Sequence, residues 1–228
     1  MSGQQTAASA FAHETGTANA REPGVSRLLL VATGSTSAAD LPYWISWLRD
    51  CRPQLELTVV VTRSAERFVT RAALAGRTGG EVLEDTWPQD VGSARHVQLS
   101  EWAEAIMVYP ATLHFLARLA LGMGDSPALL AAQCTTAPVG LAPALPPGGM
   151  DSAAYRSHWA ALAARANVVV APPGPGISVT TGRADAWVPA PLPDLLELVE
   201  RRRAELAAAP GPGAPLSMPS ALADGAGA

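Results

Sequence analysis

The chain contains no lysine: all 16 of its basic residues are arginine. That excludes a Schiff base, a pyridoxal phosphate linkage and the lysine of a phosphate-binding P-loop. Cysteine is nearly as scarce. Cys51 and Cys134 are the only two, too few for a disulfide framework and not at metal or redox CxxC spacing. A reducing cytoplasm is the expected compartment, no metal is expected, and both residues read as small buried or half-buried thiols rather than nucleophiles. There is no basic run. The net charge of −4 is spread along the chain, so neither a nucleic-acid partner nor a polybasic membrane contact is expected. Long apolar runs are missing too, since 28–32 and 128–132 fall far short of the roughly 20 residues that span a bilayer. The start of the chain lacks the basic flank and apolar block of a signal peptide, and no repeat of fixed period is visible.

What is present is one core's worth of apolar residues: 228 residues, 48% of them hydrophobic, argue for a single domain. Residues 1–24 and 209–228 are aperiodic mixtures rich in Ala, Gly, Ser and Pro and are expected to be flexible tails. The folded unit is then 25–208. Within it, apolar blocks at 27–33, 56–62, 104–109, 127–133 and 167–171 read as strands, and helix-patterned segments at 38–51, 64–76 and 111–122 lie between them. That alternation predicts a three-layer α/β/α, doubly wound parallel sheet of the Rossmann or flavodoxin type. In such a sheet the ligand sits beyond the carboxyl ends of the strands, which directs attention to 33–39, 62–68, 85–99, 110–114 and 134–150.

The first strand ends in Thr33-Gly34-Ser35-Thr36-Ser37, and the second in Thr62-Arg63-Ser64 with Phe68 just beyond. Glycine lets the backbone turn, and hydroxyls with exposed N–H groups at a helix start form an anion site. Two such ends side by side suit one phosphate monoester better than a pyrophosphate, and no GxGxxG is present. Serine and threonine in these places are equally the ordinary caps of helices. After the strand at 104–109 come Pro110-Ala111-Thr112-Leu113-His114, where a fixed turn, a small residue and a hydroxyl allow close approach of a flat ring or a phosphate. His96, upstream, is a candidate general base because imidazole titrates near neutrality; a lone histidine in a short loop or strand is also commonly structural.

The order TGSxxA, TxxAxxF, DxW (Asp85, Trp87), HxxLSxWAE (His96 to Glu104), PAT and ARLALGMGD (Ala117 to Asp125) resembles the homo-oligomeric, flavin-containing cysteine decarboxylases. That family includes phosphopantothenoylcysteine decarboxylase and the enzymes that oxidatively decarboxylate a C-terminal peptidyl cysteine during lantibiotic maturation. The resemblance implies FMN, with FAD as the other option, held by Gly34, Ser35, Ser37, Thr62, Ser64, Phe68, Pro110, Ala111, Thr112 and Met123. It makes His96 the catalytic histidine. Leu113 and His114 depart from the family's PASANT motif. The family's PxMNxxMW motif aligns on Pro143 to Met150, which implies substrate contacts from Pro143, Pro146 and Met150; Pro146 stands where the family has its substrate-binding asparagine, and Gly149-Met150 replaces Met-Trp. The segment 172–183, ending in Arg183, corresponds to the substrate-clamp loop. Tyr155, Arg156 and His158 read as a solvated helix face.

By this resemblance the substrate is a precursor peptide ending in cysteine, which loses carbon dioxide and two hydrogens to give an aminoenethiol that can close an aminovinyl-cysteine ring. In the family the reduced flavin is reoxidised by oxygen. The clamp carries no cysteine, which sets the chain apart from the pantothenate-pathway enzymes, and the absence of lysine sets it apart from the prenyl-transferring relatives. A flavin-binding partner or regulatory subunit without decarboxylase activity is the alternative, favoured by Pro146. The family assembles as trimers or as dodecamers built of trimers, and a homo-oligomer is expected here.

Overall fold

Strand β1 (Arg27–Ala32) is apolar without alternation because it is buried on both faces: Leu28, Leu30 and Ala32 point into one core, while Leu29 and Val31 point into the other. Each leucine so enclosed contributes about 2 kcal/mol of transfer free energy. A computed structural model describes residues 24–87, 92 and 94–209, and in it β1 lies near the middle of a six-stranded sheet. With β2 (Glu56–Val61), β3 (Val82–Glu84), β4 (Ala105–Thr112), β5 (Val139–Ala144) and β6 (Val168–Val170), the strand order is β3-β2-β1-β4-β5-β6. Every pairing is parallel. The register runs from Arg27 opposite Glu56 to Ala32 opposite Val61, and from Leu28 opposite Ala105 to Val31 opposite Val108.

Parallel strands need crossovers, and helices supply them on both faces. Helices α1 (Leu41–Cys51), α2 (Arg71–Thr78) and α7 (Leu192–Ala208) build one core against the sheet; α3 (Arg95–Trp102), α4 (Leu113–Ala120), α5 (Pro127–Cys134) and α6 (Ala153–Ala163) build the other. Gly140 lets α7 lie close on β5: a Cβ at this position would come within 2.4 Å of Val199 Cγ2. A two-stranded antiparallel ribbon, β7 (Gly174–Gly176) with β8 (Ala186–Val188), folds back over the end of β5, where Leu145 and Trp187 exchange backbone hydrogen bonds of 2.9 and 3.0 Å. No helix of the described residues is long and apolar enough to cross a membrane.

The doubly wound parallel architecture agrees with the sequence reading, and several elements correct it. The run 127–133, read as a strand, is helix α5: Ser126 takes the cap position, Pro127 the first turn, and the leucines and alanines that follow are helix formers with no β-branched residue among them. The strand between β4 and β6 is instead Val139–Ala144. The segment 64–76 breaks into a 3-10 turn (Ala65–Arg67) and α2, which starts where Thr70 Oγ1 accepts from Ala73 N at 3.1 Å. Strand β3, three half-buried residues, was not foreseen. His96 lies in helix α3 rather than in a loop or strand. Both cysteines are exposed instead of buried. Cys134 ends α5 next to Thr135, whose carbonyl accepts from Asn167 just before β6, so it sits at the amino edge of the sheet, away from the ligand edge. Tyr155 is buried against Trp159 and is not part of a solvated face. The expected tails lie, apart from Gly24 and Ala209, outside the described residues.

Candidate functional site

After β1 the chain turns towards α1 on one face, and after β4 it turns towards α4 on the other. The strand order reverses between them, which opens a crevice at the carboxyl edge. Thr33, only 2% exposed, bridges the crevice floor: its Oγ1 donates to the Pro110 carbonyl at 2.7 Å and accepts from Thr112 N at 2.9 Å. Thr112 in turn caps α4, its Oγ1 accepting from Phe115 N at 3.4 Å. Beside them Gly34 passes close to Ser64. A Cβ on Gly34 would lie 2.5 Å from Ser64 Cβ and 2.6 Å from its Oγ, closer than real contacts allow, so only glycine fits between the first two strand ends. Ser35 Oγ accepts from Ser37 N at 3.4 Å, and the Thr62 and Ser64 hydroxyls lie 3.2 Å apart.

Two cavities open from this crevice. One, of about 600 Å³, is polar, and its wall carries Thr62, Ser64, Arg63, Arg67, Asp85 and Ser126. The other, of about 420 Å³, runs from the Gly34–Ser37 turn past Phe68 and Pro146 to Ile177, Val179 and Trp187 of the ribbon segment. Thr112 and His114 line both and form the wall between them. The second cavity has no carboxylate in its lining, which suits an anion at the Gly34–Ser37 end.

Charge is concentrated in the first cavity. Arg118 donates from Nε to Asp125 Oδ1 at 2.9 Å, and this guanidinium holds the Asp125 carboxyl below the usual carboxylate range. Arg63 and Arg67 are exposed at the mouth. Asp85, at the end of β3, is pushed up from the ordinary carboxylate value, because burial outweighs the hydrogen bond of 2.9 Å that its Oδ1 accepts from Ala128 N at the start of α5.

Of the residues that the sequence singled out, Gly34, Ser35, Ser37, Thr62, Ser64, Phe68, Thr112 and Pro146 meet on these two cavities. Pro110 supports them through its carbonyl, and Ala111 is buried in β4. The others are not brought in. Met123 is 41% exposed and lines neither cavity. Pro143 is enclosed in β5 opposite Ala111, Met150 packs on the second core, and exposed Arg183 turns to Asp185 at 2.7 Å. His96 packs edge-on against Trp87, ring centroids 5.7 Å apart, with its Nδ1 buried and unpartnered among the described residues; Trp87 donates to the carbonyl of Asp125, a residue of the polar cavity, at 3.0 Å. The sequence reading did not assign Arg63, Arg67, Arg118, Asp125, Ser126 or His114 to the site, although Arg63 lies inside the second hydroxyl turn and His114 two residues past the Thr112 cap.

Comparisons with known proteins bear on this crevice. The sequence model of the Flavoprotein family matches residues 17–202. A Streptomyces protein, cypemycin cysteine dehydrogenase (decarboxylating), is 38% identical over 178 residues, 76% of this chain and 90% of that one. The crystal structure of the cypemycin decarboxylase CypD superposes with a TM-score of 0.65 at 36% identity, covering 79% of this chain and 94% of that one. TvaF from thioviridamide biosynthesis, described as an FMN-dependent cysteine decarboxylase, gives 0.64 at 28% identity, covering 78% and 98%.

Proposed function

Because the chain belongs to the Flavoprotein family, we propose that it is an FMN-dependent enzyme that oxidatively decarboxylates the C-terminal cysteine of a ribosomally made precursor peptide to an aminoenethiol. The observation that carries this reading is the 38% identity that runs through nine-tenths of a cysteine dehydrogenase of the decarboxylating kind.

The residues present fit a flavin mononucleotide. A single phosphate needs a close backbone approach and hydroxyl donors, and Gly34, Ser35, Ser37, Thr62 and Ser64 provide these at adjoining strand ends; the cavity that Gly34, Ser35 and Ser37 line has no carboxylate on its wall. Thr112, held by Thr33, and Phe68 would border the rest of the group. Bound there, FMN supplies the two-electron acceptor without which the electrons released with carbon dioxide have nowhere to go. The chain's own part is to hold the peptide terminus, keep water out and handle protons.

The ribbon side of the second cavity suits the peptide end: Ile177 and Val179, 67% and 80% exposed on the ribbon segment, and Trp187 offer a cover that buries on contact. His96 is assigned by resemblance to orientation and acid–base work from the outer rim, and Pro143, Met150, Arg183 and Met123 to the surroundings of substrate and flavin. A homo-oligomer, trimer or dodecamer, is proposed on the same basis. Two exposed thiols with no disulfide suit a reducing cytoplasm.

The test is incubation of the purified, flavin-loaded protein with matched peptides ending in cysteine or serine, with product masses read. Loss of one carbon dioxide and two hydrogens from the cysteine peptide alone is expected. Bound flavin with no mass change on any cysteine-ending peptide would overturn the enzymatic reading in favour of a flavin-binding partner subunit, to which Pro146 points.

A further inference from the structure

His114 stands apart from the other residues of the crevice. It is exposed, it makes no hydrogen bond to any described residue, and it forms part of both cavities. In the second cavity every other lining residue is a glycine, an alanine, a proline, a hydroxyl residue or a hydrophobe. An imidazole is therefore the sole group on that wall with a nitrogen that can take up a proton. His96, by contrast, packs against the Trp87 ring and lines neither cavity.

We propose that His114 is a catalytic residue that takes up the thiol proton of the substrate cysteine, a role that rests on the decarboxylase reading above. The step balances within itself: the substrate S–H bond breaks, an N–H bond forms on the imidazole, and the electron pair stays on sulfur, with no oxidation or reduction. The resulting thiolate is the electron-rich form from which oxidation proceeds, and the proton is returned to solvent or to product afterwards.

Position supports the assignment. Helix α4 begins at Leu113, with Thr112 tied to Thr33 at the crevice floor, so His114 projects from a rigid, capped helix start. Its charged surroundings belong to the polar cavity: Arg118 one turn along α4, Asp125 from the α4–α5 loop, Arg63 and Arg67 from the segment after β2, and Asp85 from the end of β3. Asp125 is paired to Arg118, and His114 is close enough to help lower its carboxyl.

The experiment is anaerobic single turnover on a cysteine-ending peptide across pH, comparing wild type, His114→Gln and His96→Asn, with flavin content and circular dichroism confirming that each variant is folded and loaded. For His114→Gln the rate at pH 7 is expected to fall about a hundredfold, as for loss of a general base. Its rising limb should move up to the thiol range, about pH 8.5, with most of the rate recovered above that. Added imidazole should restore His114→Ala at neutral pH. A wild-type enzyme that gives no decarboxylated product removes the reading on which the proposal stands. Wild-type turnover with an unchanged limb in His114→Gln, or a limb moved by His96→Asn instead, overturns the proposal while leaving the decarboxylase reading intact.

Discussion

Thr33 and Thr112, 79 residues apart in the chain, are joined by a hydrogen bond of 2.9 Å from the Thr112 backbone to the Thr33 hydroxyl, which itself donates to Pro110. This pair fixes the distance between the ends of β1 and β4, and with it the width of the crevice. Thr33→Val keeps the shape and removes the hydroxyl, leaving Thr112 N and the Pro110 carbonyl without their partner. The variant should lose about 1–3 kcal/mol of stability and bind FMN about tenfold more weakly. Chemical denaturation and flavin titration check both; a variant that matches wild type in both would show the bridge to be incidental.

Gly34→Ala tests the cradle directly. The new methyl would fall 2.5 Å from Ser64 Cβ and 2.9 Å from the Ser64 carbonyl carbon, so one of the two strand-end turns must move. The expected result is at least tenfold less flavin in the purified protein with the far-ultraviolet circular dichroism unchanged. Adding Ser64→Gly should recover only part of the loss, because it relieves the side-chain clash and leaves the backbone one.

Asp85 carries a pH dependence whose sign follows from burial. Its folded pKa is raised above the ordinary 3.8, so the stability it contributes is complete below that value and is lost as pH rises through the folded one. Asparagine accepts the same Ala128 N–H without a charge. Asp85→Asn should therefore gain on wild type as pH rises from about 4 to 8, read by denaturant melts across that range. A gap that stays constant, or that narrows towards high pH, would contradict the account.

The legible part of the fold was the part whose residues obey one force. β1, β2 and β4 are enclosed on both faces, so their short continuous apolar runs match buried strands, and the crevice followed from their ends. The run Ala128–Ala132 is equally buried, yet composition without periodicity does not separate a buried helix from a buried strand; Ser126 and Pro127 were the signal that decides it. Thr33, Gly34, Ser64 and Thr112 were legible as local turn chemistry. In sequence His114 is the last residue of a turn and a departure from a motif, because its importance lies in a wall shared by two cavities, which is a property of tertiary structure. The arginines of the polar cavity were invisible for the same reason.

Pro146→Asn asks what the wall of the second cavity lacks. Proline offers no donor at a position exposed to that cavity, and the turn it begins is held by its carbonyl, which accepts from Gly149 N at 2.9 Å and survives the change. An added amide within reach of the substrate carboxylate should raise kcat/KM by about tenfold, the worth of one hydrogen bond to a charged group. No change in kcat/KM would place the carboxylate elsewhere.

The central claim is that this crevice couples loss of carbon dioxide from a terminal cysteine to reduction of a bound flavin. The most direct test is an anaerobic titration of the loaded protein with a cysteine-ending peptide, following flavin absorbance and product mass together. The account predicts bleaching in step with the decarboxylated product, one equivalent for one, and recovery of the spectrum when oxygen is admitted. Product without bleaching, or a flavin that ignores the peptide, would contradict it.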